Sequence, residues 1–386
     1  MMIQSYRKGL VLCVLMGTLC LWTGCFDLIG NLDFQCDPLK GGLHVNPRAY
    51  KGERSTGRSW ADPLGTVQQA LEKAQSDPSI RHIYITKGVY TLKSEGKSQD
   101  PSQPVLMLSG LKDVKLWGGF DGNEKCIQDR RPSQHAGTIF NGVLWEDDET
   151  QTQEYVWHVA KVQHVSNLHL ENIVIRGGRA TQCNAPADDS CNHGGGIYVG
   201  EDVEGLRMTG LTLENNHARF GGAFYASHCP LCFFDGCLFR YNKALESQET
   251  GGVGGALFVR DSRSLNRKSP ERTFTISGGH FQHNEASMGG AVAATKSDLF
   301  VLGTEFRHNK ALSEGGGIWL ADQSVLQLEK AWFVSNHADI HGGAISVSWQ
   351  STLQELEDNH FQENKQGTGE EIFRETLPGE TPEDTQ

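Results

Sequence analysis

Between residues 194 and 345 the chain repeats a pattern in which paired glycines precede a small residue and then a hydrophobic one. The six copies begin 26 to 35 residues apart, at Gly194, Gly221, Gly254, Gly289, Gly315 and Gly342. A second pattern, Phe or Leu followed three residues later by Asn, runs in step with it. Its copies are Leu213/Asn216, Phe239/Asn242, Phe281/Asn284, Phe306/Asn309, Phe333/Asn336 and Phe361/Asn364. A period of this length indicates stacked structural units rather than one globular core.

The segments between these positions are short and β-prone. Ile318–Leu320 and Val325–Leu328 are examples, and neither is long enough for a helix. Each unit is therefore two or three strands separated by tight turns, which predicts an all-β solenoid. Glycine supplies room and positive φ at the bends, and we expect the repeated asparagines to adopt the left-handed conformation there.

Stacking gives each repeated residue a structural interpretation. In a parallel β-helix the coils lie about 4.8 Å apart, so equivalent residues stand above one another. This predicts an inward phenylalanine stack formed by Phe239, Phe281, Phe306, Phe333 and Phe361. It also predicts a ladder of side-chain amides formed by Asn216, Asn242, Asn284, Asn309, Asn336 and Asn364.

The two ends of the body differ from its repeats. Val67, Ala70, Leu71 and Ala74 share one helical face after a Thr66-x-x-Gln69 capping box. This predicts a helix within an N-terminal cap, about residues 44–92, that covers the open end of a β-helix spanning 44–366. The clear repeats occupy about 175–366. Residues 367–386 are acidic and poor in apolar side chains, which predicts a disordered tail.

The first residues indicate export. Arg7 and Lys8 precede an apolar stretch, and Trp22-Thr23-Gly24-Cys25 follows it, so residues 1–24 are predicted to be a signal peptide. The tetrapeptide resembles a bacterial lipobox. That resemblance implies lipid attachment at Cys25, with 25–43 as a lipidated tether, and Phe26 implies the outer membrane. Ordinary signal cleavage and an uncleaved anchor are the alternatives, although the apolar stretch is short for a spanning helix.

Ten cysteines are present. Two leave with the signal and Cys25 would carry lipid, so seven remain in an oxidising envelope, where disulfides persist. Cys183 and Cys191 are the candidate disulfide because that bond closes a loop. A second group could hold zinc or exchange thiols: His228, Cys229, Cys232 and Cys237. Without a second Cys-x-x-Cys, a disulfide or free thiols are favoured, and we predict no metal and no cofactor.

The paired glycine and Phe-x-x-Asn patterns resemble the repeats of the polymorphic outer-membrane protein family, within the right-handed parallel β-helix, or pectin-lyase-like, superfamily. The resemblance covers about residues 175–366 and implies display on the cell surface, often for adhesion. Many members end in an outer-membrane barrel. Nothing after Asn364 resembles its strands, so we expect the anchor at Cys25.

The same superfamily contains polysaccharide lyases and hydrolases, whose sites need grouped carboxylates or an adjacent base. The candidates by residue type are Asp188–Asp189, Glu146–Glu149 and Arg130–Arg131. All lie in predicted loops, where solvated charge is the simpler interpretation, and fold analogy alone does not establish catalysis.

Charge narrows the choice of partner. The sequence has 47 Asp plus Glu against 35 Lys plus Arg, and no large basic patch is apparent. We therefore do not expect nucleic acid as a partner. We expect a non-catalytic binding or adhesive lipoprotein at the outer membrane or cell surface, with glycans or surface proteins as partners. The alternative functions are a secreted polysaccharide lyase or glycoside hydrolase and a purely structural envelope protein. The alternative location is secreted or periplasmic.

Overall fold

The computed structural model describes residues 38–39, 41–96, 100–131, 137–147, 152–181, 189–245, 251–263, 274–367 and 370–375. Over these residues the chain winds as a parallel β-helix, and successive coils contribute strands to three parallel sheets. The fold class predicted from the repeats is therefore confirmed.

The long sheet has sixteen strands in two columns. Its first column comprises Leu43–Val45, His82–Thr86, Lys115–Phe120, Val165–Glu171, Val203–Thr209, Cys232–Arg240, Phe274–Gln282, Asp298–Arg307, Val325–Glu329 and Thr352–Glu355. Three of these strands are long enough to continue into the second column. The other strands of the second column are Gly88–Tyr90, Thr138–Asn141, Ile173–Arg176, Thr212–Glu214, Trp332–Val334 and His360–Gln362.

Two narrower sheets complete each coil. The nine-stranded glycine sheet, whose strands mostly follow the paired glycines, comprises Leu106–Ser109, Ala160–Gln163, Ile197–Val199, Phe224–Ser227, Leu257–Arg260, Val292–Thr295, Ile318–Ala321, Ile345–Val347 and Ile372–Arg374. The seven-stranded short sheet comprises Arg179–Ala180, His217–Ala218, Lys243–Ala244, Glu285–Met288, Lys310–Glu314, His337–Ala338 and Lys365–Gln366. An antiparallel pair, Val143–Asp147 with Thr152–Tyr155, stands outside these sheets, and short 3-10 helices span Ile127–Asp129 and Asp189–Asn192.

The core follows the coil-to-coil register. The rings of Phe239, Phe281, Phe306, Phe333 and Phe361 stack with centroids 4.5 to 5.1 Å apart and planes within 12° of parallel. Parallel strands in register place each ring above its equivalent, so one aromatic position per coil becomes a continuous apolar column. The structure therefore contains the phenylalanine stack predicted from the repeat.

Each regular coil bends at four corners, and a residue in the left-handed conformation occupies each one. In one coil these residues are Lys296, Gly303, His308 and Gly315, with φ between 49° and 66°. The expectation that the ladder asparagines adopt this conformation is wrong, because the residue immediately before each asparagine does so. Those residues are Asn215, Tyr241, His283, His308, Ser335 and Glu363. The turn made by this residue directs the following amide into the core.

The two glycines of each pair serve different purposes. Gly315 has φ of +66°, a conformation that costs an L-residue roughly 1–2 kcal/mol. Gly316 does not have a positive φ, yet a Cβ built on it would lie 2.2 Å from the carbonyl oxygen of Gly343 in the next coil. The first glycine is therefore needed for backbone conformation and the second for close approach of neighbouring coils.

The six repeated asparagines form a continuous ladder. The Nδ2 atom of each donates to Oδ1 of the next, over 2.9 to 3.2 Å. Each Oδ1 also accepts the backbone N–H of the preceding rung, and each Nδ2 also donates to a carbonyl one coil back; for Asn309 these partners are Asn284 and Phe281. The amides thus satisfy backbone groups at a bend where strand pairing stops, and their role is structural.

A second ladder occupies another corner and was not predicted. The backbone N–H groups of Ser262, Ser297 and Ser324 donate to the hydroxyl oxygens of Ser297, Ser324 and Ser351 in turn, over 3.1 to 3.2 Å. Cys229 continues this serine ladder, because its N–H donates to Oγ of Ser262 at 3.0 Å. A left-handed residue precedes the inward residue at this corner too, as His228 does before Cys229.

The N-terminal end carries the predicted helix, Val67–Ser76. Thr66 Oγ1 accepts the backbone N–H of Gln69, and the Gln69 side chain accepts the N–H of Thr66, so the capping box is present. Val67, Ala70, Leu71 and Ala74 are buried against the first coils. Because the apolar face covers core that the first coil would otherwise expose, the helix acts as the expected cap.

The predicted end of the β-helix at residue 366 is too early. Ile372–Arg374 forms a further strand of the glycine sheet and pairs in parallel with Ile345–Val347. Ile372 and Phe373 are partly buried. The sequence did not reveal this strand because its two apolar residues, Ile372 and Phe373, lie among glutamates. That composition is typical of a disordered tail.

Candidate functional site

A groove of about 660 Å³ lies on the outer face of the long sheet, across the coils that contain residues 167 to 302. Its floor is one outward column of that sheet, in which Arg207, Phe233, Thr275 and Phe300 pair in register. A neighbouring column adds Ser277 and Leu302. The floor therefore combines apolar surface with a few hydroxyl groups, the composition common in ligand-binding clefts.

The wall of the groove arises from one additional residue per coil. Asn167 and Gly205 interrupt the pairing of their strands, so that Ser166 pairs with Glu204 and Leu168 pairs with Leu206. Leu231 occupies the same place in the next coil and also lines the groove. We define the wall as Asn167, Gly205 and Leu231. The additional residue is absent from the described coil that begins at Ser297, where the inward Leu299 follows two positions later.

Charge is sparse in the groove. Among the described residues that line it, Arg207 alone carries a formal charge, and its guanidinium lies 4.5 Å from the Phe233 ring centroid and 3.5 Å from a carboxylate oxygen of Asp235. Burial, with the nearby Lys115 ammonium, lowers the pKa of His169 to about 4, so its imidazole is neutral at pH 7. The described lining of the groove thus presents little unbalanced charge to a ligand.

A charged cluster borders the groove at its N-terminal end. Glu171 accepts from Lys115 Nζ at 2.7 Å and from Arg130 at 2.6 Å, and the Lys115 Nζ lies 3.5 Å from the Trp117 ring centroid. Burial raises the pKa of Glu171, but hydrogen bonds from the two cations outweigh that effect and leave the pKa below its ordinary value. Because Lys115 and Arg130 share the one carboxylate of Glu171, the cluster fixes the segment carrying Arg130 against the sheet and leaves no free acid.

Of the residues considered for catalysis, Arg130 lies in this cluster and pairs with Glu171. Glu171 was not among the residues predicted from the sequence. Asp188, Asp148 and Glu149 lie outside the described residues, as do the side chains of Glu146, Asp147 and Asp189. The described part of the chain therefore brings none of the predicted carboxylates to the groove.

The structure divides the cysteines into bonded and free. Cys229 and Cys232 form a disulfide, which leaves neither sulfur as a thiolate ligand, and Nδ1 of His228 lies 2.8 Å from the Ser227 hydroxyl. Cys237 is buried as a free thiol whose pKa burial raises to about 12. The candidate metal-binding group, which the sequence did not favour, is thus not assembled.

Some residues of the remaining predicted sites lie outside the described part of the chain. Cys191 is disulfide-bonded, but its predicted partner Cys183 lies outside the described residues. Cys25 and the signal segment also lie outside them. No helix in the described ranges is long and apolar enough to cross a membrane.

Sequence reasoning missed the groove because its residues belong to no repeated motif. Phe233 and Phe300 occupy outward positions that vary from coil to coil, while Asn167 and Gly205 interrupt the period. The available signal was spacing: the inward residues Val165 and Leu168 are three apart, as are Val203 and Leu206, whereas regular coils have two. An inserted residue in consecutive coils marks a ridge on one face.

Comparison with known proteins gives distant similarities. No family model matches the chain. It is 25% identical over 171 residues to metabotropic glutamate receptor-like protein R of Dictyostelium discoideum, covering 41% of this chain and only about a tenth of that protein. Among solved structures it is similar to the Streptococcus pneumoniae surface protein and adhesin PfbA, with 14% identity, a TM-score of 0.29, and coverage of 80% of this chain and 95% of the other.

Proposed function

We propose that the protein is a lipid-anchored binding module, displayed at the cell surface, that holds a neutral glycan chain in the groove. The observation that carries this proposal is the groove itself, whose described lining has aromatic and hydroxyl groups along successive coils and a single formally charged residue. A sugar ring offers both apolar faces and hydroxyl groups, so it can use both kinds of side chain at once.

The shape of the groove favours an extended ligand. Its floor column repeats at the coil spacing of about 4.8 Å, so a chain lying along the rod axis meets a new side chain at each coil. Phe233 and Phe300 flank Thr275, which places a hydroxyl between two apolar positions. A polymer with regularly repeated units can occupy such a surface through several weak contacts.

The charge balance favours a neutral glycan over an anionic one. Arg207 is paired with Asp235, and a lowered pKa keeps His169 uncharged at pH 7. An anionic polymer would gain little electrostatic attraction from a protein whose formal net charge is −12.

A glycan array probed with the full-length protein in detergent tests this function. For the tightest neutral hit, Phe300→Ala should weaken affinity about tenfold, or about 1.4 kcal/mol. Gln327→Ala is the matched control, because Gln327 pairs with Phe300 one coil later but does not line the groove. Equal losses in both variants, or no glycan bound, would refute the proposal. Release of new chain ends from a bound polysaccharide would favour the lyase or hydrolase alternative.

The anchor requires its own test. Metabolic labelling with palmitate should mark the wild-type protein and not Cys25→Ser, and protease added to intact cells should remove the β-helix. Labelling of both forms would exclude Cys25 as the attachment site, and protection from protease would place the groove on the inner side of the envelope.

A further inference from the structure

The three wall residues are held in place by different means. Asn167 and Gly205 both have positive φ, which asparagine and glycine tolerate, and Asn167 Nδ2 donates to a carboxylate oxygen of Asp113 at 2.9 Å. Leu231 does not have a positive φ. A leucine would adopt that conformation only at a cost, so its coil needs another way to accommodate the additional residue.

The Cys229–Cys232 disulfide spans this additional residue. Cys229 occupies the serine-ladder corner, Cys232 is the first inward residue of its strand, and both are buried. The bond encloses Pro230, whose φ is fixed by its ring, and Leu231. Disulfide, proline and ladder hydrogen bond together limit the conformations open to Leu231.

Leu231 itself remains 44% exposed while lining the groove. Exposure of a large apolar side chain on a tightly constrained loop forgoes the stabilisation that burial would give. The bond closes a very short loop, and short loops contribute the least chain-entropy stabilisation. Both points favour a binding role over a role in global stability.

We propose that the Cys229–Cys232 disulfide positions Leu231 so that a flat, extended neutral glycan is held between this wall residue and the Phe233–Phe300 floor. This inference rests on the proposed function and specifies its substrate class. A flat ring with two apolar faces fits between opposed apolar surfaces, whereas a bent or heavily branched chain would contact only one of them.

The variant Cys229→Ser/Cys232→Val tests the clamp without disturbing the corner. It places serine where the following coil already has Ser262 and keeps an apolar residue in the inward column of Leu206 and Leu299. Hydrogen exchange of the amides of residues 231–233 should accelerate at least tenfold, while residues 324–328 remain unchanged. Unchanged exchange at 231–233 would overturn the clamp, whatever the protein binds.

Calorimetry with cellohexaose as the probe tests the effect on binding. Leu231→Ala and the cysteine variant should each weaken affinity about tenfold, and their combination should be no weaker than either, because both remove the same wall contact. Additive losses, or wild-type affinity in the cysteine variant, would overturn the positioning role. If the wild-type protein binds other array glycans but not cellohexaose, the flat-glycan class is wrong. Failure to bind any glycan refutes the proposed function, and exchange still decides the clamp.

Discussion

The regular coils after residue 240 and the coils before it, which carry the wall of the groove, achieve stability in different ways. At one corner the later coils place Ser262, Ser297 and Ser324, whose hydroxyls bond the backbone of the preceding coil. At the same corner the earlier coils place buried Val165 and Val203. The regular coils repeat the same serine hydrogen bond at this bend. The earlier coils contain an additional residue after the bend, and that residue forms the wall.

This contrast indicates where stability and binding reside. Inward positions of the regular coils are fixed by hydrogen-bond ladders and ring stacks, so a change in one coil affects both neighbours. Outward positions such as Phe233 and Phe300 have no equivalent constraint. Departure from the period, rather than the period itself, creates the candidate site.

The largest expected effect comes from breaking the asparagine ladder in its middle. Asn309→Leu removes the acceptor for the backbone and side-chain N–H groups of Asn284 and the donors to Phe281 and Asn336. Several buried groups would lose partners, so the free energy of unfolding should fall by about 4 kcal/mol or more. Urea unfolding measures it. Asn364→Leu, at the half-buried last rung, should cost roughly half as much, and equal losses would contradict a buried ladder.

A smaller effect should separate close approach from backbone conformation. Gly316→Ala forces a Cβ against the Gly343 carbonyl, and we expect a loss of about 3 kcal/mol. Gly303→Ala, where φ is +57° and no atom lies within 4 Å of the added Cβ, should cost only about 1 kcal/mol. Thermal unfolding of the pair gives the ranking, and the reverse order would show that coil spacing relaxes easily.

Acid should destabilise the coils before residue 240 through two histidines. Burial lowers the pKa of His169, beside the groove, and of His217, in the short sheet, to about 4. The unfolded chain takes up protons near pH 6.5 while the folded chain does not. Their contribution is therefore present above pH 6.5 and lost as pH falls to 4, by about 2 kcal/mol per histidine. His169→Gln should flatten this slope in pH-dependent urea unfolding. An unchanged slope in His169→Gln would contradict its burial.

The smallest effect should come from the groove floor. Phe300→Ala removes an outward ring and should change the free energy of unfolding by less than about 1 kcal/mol. Phe306→Ala, six residues later on the same strand but fully buried in the stack, should cost about 3–5 kcal/mol. Similar losses from the two would mean that the floor also holds the fold.

The framework could be predicted from the sequence because, in a solenoid, the same residue type recurs at the same inward position in several coils. The phenylalanine stack, the asparagine ladder and the capping box of Thr66 all follow from residues whose environments repeat or are local. The prediction that the asparagines adopt the left-handed conformation was wrong because two adjacent residues at this corner have different roles. The first residue adopts the left-handed conformation and turns the chain, and the asparagine after it makes the hydrogen bonds.

The groove could not be predicted in the same way. Its floor depends on which outward residues fall beside one another, and that register is set by inserted residues such as Gly205 and Leu231. The final strand, Ile372–Arg374, was missed for a related reason. Its three residues are recognised as a strand mainly because they pair with Ile345–Val347, and that pairing is not visible in the sequence. A position that occurs in one coil only has no equivalent in other coils against which a prediction can be checked.

The asparagine ladder also gives the rod an electrical direction. Every side-chain carbonyl faces the preceding coil and every rung donates to the following one, so the amide dipoles point the same way along the axis. At the positive end a carboxylate oxygen of Glu371 accepts from both nitrogens of Asn364, at 3.3 and 3.5 Å. An anion at the positive end of aligned dipoles is the arrangement that stabilises the first turn of an α-helix. The β-helix thus ends as a polarised column terminated by a counter-charge.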